Sequence, residues 1–143
     1  LIGLGDFIAT CADILGSDLS EGAGKDSISM LPLLIGETST NKREYAIHHS
    51  STGRFAIRKG DWVFLNTSNG GDNQEPDWFR YLRGYADYRV PGELYDLSSD
   101  ISESKNLYYE HGEVVKELHA ILLKELEGSD VESPFVGDEN FYA

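Results

Sequence analysis

Cysteine occurs once in these 143 residues, at Cys11. An internal disulfide is therefore excluded, and cysteine usage says nothing of the redox compartment. Long apolar runs are missing too. None approaches the roughly 20 residues that span a bilayer, so no membrane partner is expected. Basic residues are scarce, with 12 Lys and Arg against 25 Asp and Glu and a net charge of −13. A nucleic-acid face works by displacing counterions with cationic side chains. No nucleic-acid partner is expected, and an anionic ligand would need a local cluster of Arg, Lys or His. Neither an initiator Met nor a signal-peptide pattern stands at the opening Leu-Ile-Gly-Leu-Gly-Asp, which reads as the interior of a longer polypeptide.

What is present is ordinary globular composition, 40% apolar and 26% charged, in a length suited to one domain with its own core. "GDFIATCADILG" reads as a short helix. Asp6 is its N-cap, Phe7, Ile8, Cys11, Ile14 and Leu15 fall at helical spacing, and Gly16 stops it. On that stripe Cys11 reads as a small core residue. "DLSEGAGKDSISMLPLLIGE" is a Gly-rich turn followed by a short helical piece in which Met30, Leu31, Leu33, Leu34 and Ile35 pack, and "TSTNKRE" is a polar linker.

A β region follows. "YAIHHS" and "RFAIRKGDWVFLNT" alternate, Lys59-Gly60-Asp61 forms a hairpin turn, and "ELYDL" makes a later strand. From Ser68 to Gly92 about 25 residues show no clear period, and loops of that length are functional or disordered. Their Trp, Tyr and Arg content argues against disorder. "EHGEVVKELHAILLKELEGS" is an amphipathic helix with Val114, Val115, Leu118, Ile121, Leu122 and Leu126 on one stripe. His111 and His119, eight residues apart with no partner at i+4, form no metal pair and read as surface residues. The expected fold is α+β: a small antiparallel sheet of about four strands packed against a long C-terminal helix, with a short N-terminal helix. Residues 1–128 form the folded subdomain, and 129–143 an acidic tail, loosely packed or partly disordered.

"GELYDLSSDISESKNL" concentrates carboxylates. Asp96, Ser98 and Asp100 alternate as in a calcium loop, but Ile101 stands where the turn glycine is required and no Glu follows at the bidentate position. The better physical reading is a strand end, a turn built on Asx and Ser hydrogen bonds and a short helical turn over "SESKNL", with Leu94, Tyr95, Leu97 and Leu107 as buried pegs.

The same residues carry a resemblance. Leu94, Tyr95, Asp96, Leu97, Asp100, Glu103, Asn106 and Leu107 resemble the "LYDLxxDPxExxNL" segment of the sulfatase family, with Ile101 in place of proline. "DFIATCADILG" resembles the helix after that family's last catalytic lysine. "AGKDSISMLPLLIG" is similar to its "G-x-S-x-x-P-L-L-x-G" segment, and "RFAIRKGDWVFL" to its "AIRxGxWKL" hairpin. The pieces stand in family order from Gly5 to about Gly128. The resemblance implies the C-terminal portion of an arylsulfatase-type hydrolase of the alkaline phosphatase-like superfamily, commonly exported.

Sulfatases make formylglycine from Cys or Ser in "C-x-P/S-x-R" and hold calcium with carboxylates and Asn or Gln. Here Cys11 is followed by Ala12, Asp13, Ile14 and Leu15, so that motif is absent, and no "D-N-G" or paired-Asp segment stands in context. The resemblance assigns calcium and formylglycine to the full-length enzyme, in an N-terminal catalytic domain, and implies no cofactor, metal ligand or catalytic residue here. Without nucleophile and metal, the chain by itself is expected to be inactive.

Substrate-binding candidates remain. His48 and His49 are adjacent in a strand, so only one can face an upstream domain, and Arg54 can join it at a sulfate or sugar hydroxyl. In the long loop Trp78, Arg80 and Arg83 mix aromatic and cationic groups suited to a sugar or aryl ring and a sulfate. Packing against the upstream domain, with Trp78 and Phe79 as anchors, is the other reading of that loop. Partners are then that domain and a sulfated small molecule or glycan, with self-association of the isolated chain through uncovered apolar surface. Two other functions stay open: a stand-alone carbohydrate-binding or interaction module, and part of a phosphate or phosphonate ester hydrolase of the same superfamily.

Overall fold

The computed structural model describes residues 1–40, 42–50, 53–67, 76–83 and 91–127, without the side chains of 77, 80 and 83. The 129–143 tail lies outside the described residues. The chain divides into two compact units, Leu1–Ala46 and Ile47–Ala143.

In the first unit, α1 (Asp6–Leu15) begins after Gly5 and ends at Gly16, whose φ of 61° is the left-handed cap that glycine adopts without strain. Asp6 is not the N-cap. It is the first helical residue, and its carboxylate turns back to accept the Gly3 N–H at 2.8 Å and the Ile28 N–H at 3.0 Å. The apolar stripe is also not the buried one: Asp6 and Thr10 are buried, whereas Phe7, Ile8, Ile14, Leu15 and Cys11 are exposed. The reason is local hydrogen bonding. Residues 27–30 run along the polar side of α1: Ser27 Oγ donates to Gly5 O at 2.7 Å and accepts the Ala9 N–H at 3.0 Å, and the Met30 N–H donates to Thr10 Oγ1 at 3.0 Å. Thr10 Oγ1 in turn donates to Asp6 O at 2.6 Å. A second short helix, α2 (Leu31–Leu34), has Pro32 in its first turn. Met30 is buried as expected, but Leu34 and Ile35 are exposed.

The second unit is built on a four-stranded antiparallel sheet in the order β1-β2-β3-β4: β1 (Tyr45–His49), β2 (Phe55–Lys59), β3 (Trp62–Leu65) and β4 (Glu93–Asp96). Lys59 pairs with Trp62 across a two-residue turn, with Gly60 at φ 59°, as the hairpin signal indicates. Ile57, Phe64 and Leu94 lie opposite one another in register and are at most 2% exposed. Over this row lies α4 (Gly112–Leu126), contributing Val115, Leu118 and Leu122. The helix stripe was legible because its period of 3.6 admits one buried face.

His119 departs from the surface reading. It is half-buried, its ring 5.9 Å from that of Phe64, and burial lowers its pKa. His111 is exposed and lies over Trp62 at 5.1 Å. Of the four pegs expected around the acidic turn, Leu94 and Tyr95 are buried and Leu97 and Leu107 only half-buried, with Tyr108 taking a buried place beside Phe64.

Gly92 has no room for a side chain: an added Cβ would stand 2.9 Å from Leu65 O, Phe64 Cε2 and Tyr108 Cε2. A backbone oxygen cannot step aside, so Gly92→Ala is expected to cost about 1–3 kcal/mol by overpacking, read as a lower midpoint in urea with an unchanged slope.

Candidate functional site

The acidic stretch after β4 is a folding device. Asp96 Oδ1 accepts the Ser98 N–H at 2.9 Å and Ser98 Oγ at 2.6 Å. Asp100 Oδ2 accepts the Ser104 N–H at 2.7 Å and the Lys105 N–H at 2.8 Å, and its Oδ1 takes the hydroxyls of Ser102 and Ser104. These donors favour the charged carboxylates and hold both pKa values down. Asn106 ties the turn to the sheet: Oδ1 accepts the Leu94 N–H at 3.1 Å and the Tyr108 N–H at 2.9 Å, and Nδ2 donates to Gly92 O at 3.3 Å. Among the described residues no group of three or more His, Cys, Asp or Glu is placed to hold a metal ion. Neither exposed Cys11 nor these committed carboxylates fit a formylglycine or calcium site, and no reaction step is assigned to them.

Three of the substrate-binding candidates, His48, His49 and Arg54, lie at one end of the sheet. There the β1–β2 turn closes with the Ser50 N–H on Arg54 O at 2.9 Å, and the chain leaves β3 through Asn66 and Thr67 and re-enters β4 after Gly92. His49 lies against Phe55 at 5.8 Å and its Nδ1–H donates to Ser50 O at 2.8 Å. Strand alternation then sends His48 to the opposite face, with Arg54 and Arg58. Both histidines are exposed. Arg54 is half-buried, and its Nη1 donates to the hydroxyl of buried Thr67.

Acids balance this basic face. Glu93 is 6% exposed and accepts the Tyr95 hydroxyl at 2.5 Å. Glu103, at a left-handed φ of 53°, has its pKa raised, chiefly by burial and then by the charges of Glu93 and Asp100, with His48 and Arg58 pulling the other way. Thr67 and Arg58 escaped the sequence reading. Arg58 was recoverable, because it alternates with Ile57 along β2, whereas Thr67 meets Arg54 only through the sheet.

The long segment before β4 is not without regular structure: it contains α3 (Asp77–Arg83). Its aperiodic flanks mask a helix too short to show two turns of pattern. Trp78, Tyr81 and Leu82 are exposed, Phe79 is half-buried, and the Trp78 and Phe79 rings meet edge-to-face at 5.6 Å. Arg80 and Arg83 belong to the same helix, their side chains outside the described residues.

No family model matches the chain. A curated relative, the N-acetylgalactosamine-6-O-sulfatase of Bacteroides thetaiotaomicron, is 36% identical over 117 residues, which are 82% of this chain and 22% of the relative. A solved structure from work on the metabolism of multiple glycosaminoglycans by Bacteroides thetaiotaomicron is 32% identical, with a TM-score of 0.64 over 84% of this chain and 24% of that one. The structure of a 2-O GAG sulfatase shares the fold at a TM-score of 0.60 and 21% identity, over 85% of this chain and 24% of that one. The chain spans less than a quarter of the length of each. By sequence and by architecture alike, the chain shows sulfatase homology, consistent with a C-terminal portion of those larger proteins.

Proposed function

We propose that this chain forms the C-terminal subdomain of a longer enzyme that hydrolyses sulfate esters on sugars. The single observation that carries the reading is the 36% identity, over 82% of the chain, to an N-acetylgalactosamine-6-O-sulfatase. The exposed apolar face of α1, with Phe7, Ile8, Ile14 and Leu15, supports it as well, since patches of that kind mark surfaces that another body covers. In this reading the body is an N-terminal catalytic domain, which brings the nucleophile, as formylglycine, and calcium. The same patch gives the isolated chain a surface for self-association. A clean monomer by light scattering across a wide concentration range would remove that last expectation. The two alternative functions draw no support from the relatives, which are sulfatases.

Within the subdomain, the sheet end bearing His48, His49 and Arg54 forms one wall of the substrate site, joined by Trp78, Arg80 and Arg83. Arg54 supplies a fixed guanidinium for a sulfate or carboxylate oxygen, and its bond to Thr67 keeps it oriented. The test is sulfate release by the full-length protein from N-acetylgalactosamine 6-sulfate and related sulfated sugars; release from none of them sinks the proposal. Arg54→Ala is expected to raise KM about tenfold with little change in kcat, the size of one lost charge-assisted hydrogen bond. Arg54→Lys should recover part of it.

A further inference from the structure

β4 is the last strand of the sheet, so no further strand of the sheet pairs with its outer edge. A bare edge presents unpaired N–H and C=O groups to any strand that approaches. Here the chain folds back and covers it. The Leu107 N–H donates to Leu94 O at 2.8 Å, Asn106 Oδ1 accepts the Leu94 N–H at 3.1 Å, and Asn106 Nδ2 donates to Gly92 O at 3.3 Å. At the near end the Leu97 N–H donates to Asp61 O at 2.8 Å. Residues 97–107 thus form a strap across the edge.

One residue of the strap fits poorly. Among the described residues Glu103 is the one non-glycine with a positive φ, 53°, a left-handed conformation that strains a residue with a side chain. It is half-buried, and its carboxylate has no hydrogen-bond or ion-pair partner among the described residues. The acids facing it are Glu93 on β4, buried and bonded to the Tyr95 hydroxyl, and Asp100 within the strap. The cations facing it are His48 on β1 and Arg58 on β2, and Arg58 Nε is engaged by Gly60 O at 3.1 Å. Burial first, then the two acids, push the Glu103 carboxyl above the usual Glu range. Asp96 and Asp100 are the reverse, because the donors gathered on them favour their charged forms. Backbone strain of this kind persists where the surroundings enforce it, and it clusters at segments that switch.

We infer that residues 97–107 are a pH-sensitive strap over the edge of β4, closed when Glu103 is protonated and loosened when it ionises. The neutral carboxyl tolerates its half-buried place, whereas an unpaired charge is costly where water is partly excluded. A folded-state pKa above the unfolded one contributes stability that is fully present below the unfolded value, about 4.3 for Glu, and is lost as pH rises through the folded one. Asp96 and Asp100 have the opposite sign, and their contributions fade only below about pH 4. Above that, Glu103 governs the strap. Loosening uncovers the Leu94 N–H and C=O at the sheet edge.

The experiment is amide hydrogen exchange on this chain between about pH 4.5 and 7.5, with each rate divided by the intrinsic rate at that pH. His48→Gln is introduced throughout, so that no imidazole charge facing Glu103 changes over the range. Protection of the Leu94 and Leu107 amides should fall about tenfold as pH rises, while Val63 and Phe64 in the central strand β3 keep theirs. Glu103→Gln should hold the acid level of protection across the range. Glu103→Gly, which relieves the left-handed strain as well, should be equally flat and about fivefold better protected at neutral pH than the parent. A flat profile with Glu103 in place, or the same slope in Glu103→Gln, overturns the strap. So does a parallel fall at Val63 and Phe64, because the whole unit then opens and not its edge.

Discussion

Replacing Asp6 with alanine is expected to destabilise the N-terminal unit by about 3–5 kcal/mol, the range for removing one partner of a buried ion pair. The carboxylate is 2% exposed and the Arg43 side chain 16%. Arg43 Nε donates to Asp6 Oδ2 at 2.9 Å, Nη2 donates to Oδ1, and Nη2 also reaches Asp26 O at 2.8 Å. Alanine at residue 6 strands the guanidinium and takes the acceptor from the Gly3 and Ile28 N–H groups at once. Arg43→Ala should cost a similar amount. The double variant should fall well short of the sum, because each single change already breaks the same network. Denaturation of the four proteins, with hydrogen exchange at Ile28 and Met30 to localise the loss, measures this. Additive effects would show that the pair is not coupled.

The same pair sets an acid limit. The Arg43 hydrogen bond, opposed by burial, holds the Asp6 carboxyl well below the usual carboxylate range. A folded-state pKa below the unfolded one contributes stability that is fully present above the unfolded value and is lost as pH falls below it. The loss therefore begins as pH drops through about 4 and continues to lower pH, and Asp6→Asn should flatten that part of the profile. His119 acts in an earlier window with the same sign. Burial favours its neutral form, so below about pH 6.5 the unfolded chain takes up the proton more readily and stability begins to decline.

Phe64→Ala is the second large effect expected, about 3–5 kcal/mol for a buried aromatic. Phe64 is 2% exposed at the centre of the second unit, opposite Ile57 and Leu94 in register. Its ring also lies 6.4 Å from Tyr108 and 5.9 Å from His119. Truncation leaves a cavity walled by two strands and a helix, and the strands cannot collapse into it without breaking ladder pairing. Phe64→Leu should cost appreciably less. Chemical denaturation reads both; equal costs for Ala and Leu would mean that the ring, and not the filled volume, matters.

How much of this was legible in the sequence depended on whether one element or several had to be known. The hairpin at Gly60-Asp61 needs only its turn and its alternating strands. The terminal helix declares its buried stripe by period alone, and the carboxylates of Asp96 and Asp100 find their donors within five residues. All three stood as expected, except that no helical turn forms over Ser102–Leu107, where the backbone N–H groups of Ser104 and Lys105 bond to the Asp100 carboxylate instead. The N-terminal helix did not, because its existence is a local matter but the choice of its buried face is not. That face is selected by the Ser27, Ile28 and Met30 hydrogen bonds and by Arg43, 37 positions from Asp6. No periodicity encodes that choice.

The candidate site divides the same way. His48, His49, Arg54, Trp78, Arg80 and Arg83 could be named from residue type, and alternation already forbade the two histidines a common face. That Arg54 is held by Thr67, and that Trp78 and Tyr81 share one exposed helix face, required the structure.

The amino-acid order by itself determined the element sequence apart from α3, the one-sided terminal helix, the self-contained acidic turn and the sulfatase likeness, because each rests on spacing within a short stretch. Only the tertiary structure decided which side of the first helix is covered, where His119 lies, and which polar side chains gather at the sheet end. Those outcomes depend on partners tens of residues away, and distance along the chain leaves no local trace of them.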